Sequence, residues 1–370
     1  MSDNHKRHNA IKMGLEQLCG SKVEGHFQHN LNTLALIVNG IIGSGSVQLP
    51  KLALKAPLNT KVESRTAKLN RFLKNENIKE ELYWLPFAQK LLVALSNNKR
   101  GLTLIIDGSL VGRGCVALVM AVVYGGRALP VAWLVSKGNK GHFCATAHVE
   151  LLDKVAKLVP NKVRVTFLGD GEFDGTLLQE RLTTLGWKYV VRTAKNVRLY
   201  LKGCDQWSSY QQMKLDKGQT MFWREVGFSG QGYGRGKLLA IGHWEASFSD
   251  PLYLITNLGN GNHALDLYKK RYRIETIFSD YKSRGFGLES SHLECPKKLA
   301  RLLIGCALAY WWLIYLGVTA QVRGWDKVIG RNERCDLSLF QLGWRWMEEL
   351  LNRGRKIECQ LLKLPASHHF

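Results

Sequence analysis

Residues 302–320 read LLIGCALAYWWLIYLGVTA, nineteen positions without a charged side chain. A run this long and apolar has two possible fates. It crosses a bilayer, or it forms a helix enclosed on all sides by a large fold. Arg301 and Arg323 flank it, but no second span and no loop charge bias accompany it. Gly305, Ala307, Ala309 and Gly317 would let neighbouring helices approach closely. We read a buried core helix, which requires enough surrounding chain to cover it. The 370 residues, 45% hydrophobic and 22% charged, can supply that cover. They suit one large domain with a smaller one appended, or two to three domains.

Charge narrows the partners. Lys and Arg number 52 against 30 Asp and Glu, a formal charge of +22. That excess favours a polyanion, nucleic acid or an anionic membrane. It is spread through the chain, which suits a long binding track. The eight cysteines form no CxxC pair, which argues against a zinc ribbon. Their irregular spacing reads as reduced thiols of a cytoplasmic protein. The opening MSDNHKRHNAIK has no apolar signal core.

The chain changes texture twice. Residues 1–100 read as short helices. In KVESRTAKLNRFLK, Lys61, Arg65 and Lys68 share one helix face and Leu69, Phe72 and Leu73 another. A basic face on short helices suits a helix-turn-helix-like module on DNA, or a bundle with a solvated basic side. From Gly101 the order becomes strand, strand, strand, helix, strand, helix, strand. Gly125-Gly126 marks a hairpin between the second and third strands. Residues 196–250 break that order. They are rich in Gly, Gln, Ser and aromatics with β-type pieces, and read as a β-rich insertion. A strand at 252–256, the apolar helix and a last helical region at 337–351 follow.

The stretch 262–287, NHALDLYKKRYRIETIFSDYKSRGFG, holds the densest chemistry. Asn262 is a candidate N-cap. Tyr268, Arg271, Glu275 and Lys282 lie at offsets of 3, 7 and 14 from the tyrosine. On one helix they fall within roughly 60° of each other, with Ile274, Ile277 and Tyr281 opposite. Two further acids follow apolar strands: Asp107 after LTLII and Asp170 after VRVTFLG. Each has an ordinary reading, as a turn or cap for the aspartates and a surface ion pair for Glu275. Taken together, three carboxylates in a basic protein would repel unless a divalent cation sat between them.

These residues resemble the DDE transposases of bacterial insertion sequences, specifically the insertion-sequence-four family. Tyr268, Arg271, Glu275 and Lys282 keep every spacing of that family's Tyr-x2-Arg-x3-Glu-x6-Lys signature. LTLIIDGS places Asp107 as first acid and VTFLGDGEFDG places Asp170 as second. The resemblance runs over nearly the whole chain. It implies an α/β fold: an RNase H-like mixed-sheet catalytic core at 101–300 with the insertion at about 196–250. A helical DNA-binding domain at 1–100 would precede it, and C-terminal helices at 301–370 would follow.

The resemblance also implies roles. Asp107, Asp170 and Glu275 would ligate two Mg2+ or Mn2+ ions. Tyr268, Arg271 and Lys282 would hold phosphates of double-stranded DNA near the cleaved end. The ends would be nicked, closed as hairpins, reopened and joined to target DNA by a homodimer on paired ends. Hairpin closure needs an unstacked base and an aromatic platform, for which Trp207, Trp223 and Trp244 are candidates and Trp223 is favoured. The ordinary reading of any one of them is an insertion-core tryptophan. Gly171 stands where relatives often carry a basic residue, which weakens any phosphate contact there. A catalytically silent DNA-binding derivative and a related metal-dependent nuclease or resolvase remain the alternatives.

Overall fold

The computed structural model describes residues 2–20, 24–97, 101–139, 141, 143–202, 206–230, 232–329 and 336–359. Cys204 and Cys335 lie outside them; Cys19, Cys115, Cys144, Cys295, Cys306 and Cys359 are free thiols.

Six helices come first: α1 (Asp3–Cys19), α2 (Gly25–Ser44), α3 (Leu49–Lys55), α4 (Val62–Lys74), α5 (Glu80–Tyr83) and α6 (Leu85–Ser96). The core then opens with β1 (Leu102–Leu110), β2 (Cys115–Tyr124) and β3 (Arg127–Lys137). Next come α7 (Ala145–Ala156), β4 (Val165–Gly169), α8 (Thr176–Thr184) and β5 (Lys188–Arg192). The insertion supplies β6 (Arg198–Leu201), β7 (Gln206–Ser209), β8 (Thr220–Phe228) and β9 (Tyr233–His243). After β10 (Leu252–Thr256) come α9 (Gly261–Tyr268), α10 (Arg273–Tyr281), α11 (Pro296–Val322), α12 (Asp326–Ile329) and α13 (Leu339–Asn352).

All ten strands join one mixed sheet in the order β3-β2-β1-β4-β5-β10-β9-β8-β6-β7. β1, β2 and β3 run antiparallel, and the turn between the last two is the Gly125-Gly126 pair, with φ 54° at Gly125. β1, β4 and β5 are parallel neighbours. β1 and β4 are buried almost throughout, which is why LTLII shows no apolar–polar alternation. The arrangement is a mixed α/β core of RNase H-like kind with helices at both ends. The strands of residues 196–250 continue the same sheet, since β10 pairs with β5 on one side and β9 on the other.

The apolar run forms most of α11. That helix is long and apolar enough to cross a membrane, yet 94% of its most apolar window is buried inside the fold. α2, α4, α13 and β3 pack around it. Gly305 sits against Ile37, and Gly317 meets the backbone of Leu339 so closely that a Cβ would collide. The flanking Arg301 is itself buried, and its guanidinium donates to the Leu73 and Ile78 carbonyls at 2.8 and 3.2 Å. It ties the end of α4 to the start of the core helix, so a charge that could have marked a membrane boundary instead satisfies carbonyls within the fold. Trp84 completes the join between the helical region and the sheet. Its ring packs at a tilt against Trp133 and Trp311, and it donates to the Val131 carbonyl at 2.7 Å.

Candidate active site

Asp107 lies inside β1, which runs on to Leu110, so the expected strand end is not there. The open position comes from the neighbour instead. β4 stops at Gly169, and the last β1–β4 pair is Ile105 with Leu168. Continuing that parallel register by two residues sets Asp170 beside Asp107. The Asp107 side chain is buried and accepts from the Gly108 amide at 2.7 Å. Asp170 caps the short 3₁₀ turn Gly171–Phe173, accepting from the Glu172 amide at 3.0 Å. Asp107 thus stays within its strand, while Asp170 caps the turn that follows the neighbouring one.

The signature segment is not one helix. Asn260, not Asn262, is its N-cap, accepting from the His263 amide at 3.0 Å. α9 ends at Tyr268, a 3₁₀ turn spans Lys269–Tyr272, and α10 begins at Arg273. Lys282 stands just past the end of α10, with ψ −129°, so it has left the helix. α10 packs its apolar side on β1 and β3. Ile274, Ile277 and Tyr281 are buried there, as their spacing implies.

Arg271 is the centre of the arrangement. Its Nη2 donates to Glu275 Oε1 at 2.9 Å, and its Nη1 lies 3.7 Å from Asp107 Oδ2. Two acids from distant parts of the chain thus meet one guanidinium. Burial pushes that guanidinium's pKa down, but Tyr268, Asp107 and Glu275 together hold it above its ordinary value. Its plane lies over the Tyr272 ring at 4.6 Å. Among the described residues its buried Nε has no hydrogen-bond partner. Tyr268 is buried beside Arg271, Arg192 and Asp170, and burial raises its phenol well above the usual range. Lys282 pairs with Glu289 at 3.2 Å.

The donor set fits a divalent ion in kind. All three carboxylates are hard oxygen ligands, Asp170 directly follows the strand beside that of Asp107, and the Arg271 guanidinium bridges Asp107 and Glu275. It is not preassembled. Among the described residues no group of three or more His, Cys, Asp or Glu is close enough to hold a metal ion. Arg271 stands between two of the three acids, Asp107 and Glu275.

Further groups lie around the site, of which His148 and Phe248 escaped the sequence reading. His148 is buried under the second-acid turn, its ring 4.8 Å from Phe173 and its Nε2 3.9 Å from Glu172. Asp174 accepts from Thr193 at 2.7 Å, and burial raises its pKa. A cleft of about 320 Å³ opens between the insertion and the signature segment. Its walls include Arg192, Phe248, Tyr268, Lys269 and Tyr272. Phe248 and Tyr272 are 59% and 55% exposed. Trp244 steadies the loop by donating to the Phe248 carbonyl at 3.1 Å. Trp223 is half-buried and set edge-on to Tyr210 at 5.8 Å, while Trp207 lies under Arg198 at 5.5 Å. A lone Phe in a polar loop, SFSDP, carries no pattern that would have singled it out.

Of the basic face expected on α4, Arg65 is engaged internally. It donates to the Thr60, Ala53 and Ala56 carbonyls, closing the end of α3. Lys61 is the exposed N-cap of α4 and Lys68 is partly exposed.

A family model, the transposase DDE domain, matches residues 102–312. The chain belongs to the transposase DDE domain family. DDE transposases use divalent metal ions, and the matched span runs from the start of β1 into α11. No curated protein matches the chain. Among solved structures, a piggyBac transposase synaptic complex with hairpin DNA is similar at 12% identity and a TM-score of 0.48. That likeness covers 94% of this chain and 76% of the other.

Proposed function

We propose that this chain is an insertion-sequence transposase of the insertion-sequence-four type. It binds the terminal inverted repeats of its element, cuts them through hairpin intermediates and joins the freed ends to target DNA. The observation that carries the reading is the bridge from Asp107 to Glu275 through Arg271, within a signature whose spacings are all kept.

Asp107, Asp170 and Glu275 would hold two Mg2+ or Mn2+ ions. Such ions, when bound, activate a water or hydroxyl and stabilise the leaving oxygen of an in-line phosphoryl transfer. The chain's own groups do the rest. Arg271 offers a planar fork to one phosphate, and Lys282 a point charge to another. Tyr268, kept neutral by burial, is available as a hydrogen-bond donor to a phosphate oxygen. Nicking, hairpin closure, hairpin opening and joining differ only in the attacking oxygen, so one set of residues serves all four. For the unstacked base of the hairpin step, the exposed rings of Phe248 and Tyr272 are better placed than the half-buried Trp223.

The same reading assigns 1–100 to DNA binding, through Lys61 and Lys68 with Arg65 in support, 101–300 to catalysis and 301–370 to a helical closing region. It places a homodimer on paired ends in the cytoplasm, on the nucleoid when bound. The test is a supercoiled plasmid carrying the inverted repeats that flank the gene. With Mg2+ the wild-type chain releases the fragment and joins it elsewhere, while Glu275→Ala binds the repeats without cutting. Binding without cutting by the wild-type chain overturns the enzyme reading. Cutting without joined products replaces it with a nuclease.

A further inference from the structure

Arg271 stands where a divalent ion would have to act. Its guanidinium contacts Glu275 and Asp107, and its side chain is only 9% exposed. A cation between them is favourable, because two carboxylates drawn together repel. The chain supplies its own. The satisfaction is partial, however. One carboxylate contact is a hydrogen bond at 2.9 Å, the other a looser 3.7 Å pair, and Nε has no hydrogen-bond partner among the described residues. A phosphate offers more acceptor positions in the geometry a guanidinium fork prefers. It is therefore a competent rival for the same group.

The backbone is built for such an exchange. Arg271 sits in the 3₁₀ turn between α9 and α10, and short 3₁₀ stretches within helices recur at functional hinges. The Glu275 side chain is 53% exposed, so it is free to turn once released. Lys282 repeats the pattern, being held by Glu289. Both cations of the signature are thus engaged within the chain rather than waiting open.

Building on the function proposed above, we propose that Arg271 is an internal place-holder for the divalent ion. A backbone phosphate of bound DNA draws it away, and Asp107 and Glu275 become ligands only then. Cation binding and DNA binding are coupled through one side chain. Linkage makes the coupling reciprocal: each ligand tightens the other by the same factor. The consequence is a chain that assembles its metal site only where a phosphodiester is present to be cut.

The test is Mn2+ affinity of the full chain without DNA, read by electron paramagnetic resonance. Arg271→Gln is expected to bind Mn2+ about tenfold tighter than wild type, within the usual range of coupling between sites. Lys297→Gln, which removes a surface cation paired with Glu76, serves as the control for net charge and is expected to change nothing. Equal or weaker Mn2+ binding by Arg271→Gln overturns the proposal, as does an equal gain in the control. Should Arg271→Gln lose its circular dichroism spectrum, Arg271→Lys carries the test. Its shorter side chain cannot span both acids, so a gain of smaller size is expected, and no gain overturns the proposal. Plasmid cleavage by the wild-type chain separates the two claims. Cleavage with no Mn2+ shift removes the place-holder and leaves the transposase standing.

Discussion

Arg127 donates to Asp280 at 2.8 Å, and both side chains are almost wholly enclosed. The pair fastens the Gly125-Gly126 hairpin to α10, five residues beyond Glu275. Removing one partner leaves a charge stranded in the interior. Arg127→Met should therefore cost about 3–5 kcal/mol of stability near neutral pH, read from urea denaturation. A loss under about 1 kcal/mol would show that water reaches the carboxylate.

The same aspartate titrates unusually. Burial raises the Asp280 pKa to about 6 despite Arg127. A folded-state value above the unfolded one means that the protonated form favours the fold. The contribution is fully present below about pH 4, the unfolded value. It is lost as pH rises through 6. The stability of wild type relative to Asp280→Asn should accordingly fall between these values, by on the order of 3 kcal/mol. A flat difference across paired denaturation curves would show that Asp280 keeps an ordinary pKa.

Gly343 of α13 lies directly against α11. A Cβ there would run into the Leu313 carbonyl oxygen and the Gly317 amide, both backbone atoms that cannot rotate aside. Gly343→Ala should destabilise by about 1–3 kcal/mol despite its better helix propensity. A raised melting temperature would show that the two helices separate without cost.

Phe248→Ala and Tyr272→Ala should leave the first nick in place and deplete the hairpin product. One lost stacking surface is worth about 1–3 kcal/mol. Denaturing gels resolve nicked, hairpin and opened ends. Trp223→Ala should act differently, lowering the melting temperature through its lost contact with Tyr210. Hairpin loss in Trp223→Ala without a change in melting temperature would restore the tryptophan as the platform.

Lys61→Ala and Arg65→Ala separate binding from folding. Lys61 is exposed, so its loss should weaken DNA binding, lower the salt slope by about one and leave the melting temperature alone. Arg65 closes three carbonyls, so its loss should lower the melting temperature as well. Equal melting temperatures would show that those bonds contribute nothing.

What the sequence revealed, and what it hid, divides along a physical line. Gly125-Gly126, the charge-free run of α11 and the apolar side of α10 were legible because each follows from backbone freedom or solvent exclusion, which act locally. The pairing of Arg271 with Glu275 was legible because four residues along one segment bring two side chains to the same side. Less visible were matters settled by distant partners. Nothing in KKRYR, with neither Gly nor Pro, announces the 3₁₀ turn. Lys282 looks like a helix residue until Glu289 is seen beside it. Arg65 looks like a DNA contact until the carbonyls of α3 are found beneath it. That the insertion extends the catalytic sheet depends on β9 meeting β10, which no single strand records.

The encirclement of α11 has a bearing on biosynthesis. Its partners α2, α4 and β3 leave the ribosome long before residue 296 is translated. Until then their sticky sides have no cover, and the nascent chain should depend on a holding chaperone. A message that stops short of this helix yields a product with nothing to close it, which cellular proteases should clear quickly.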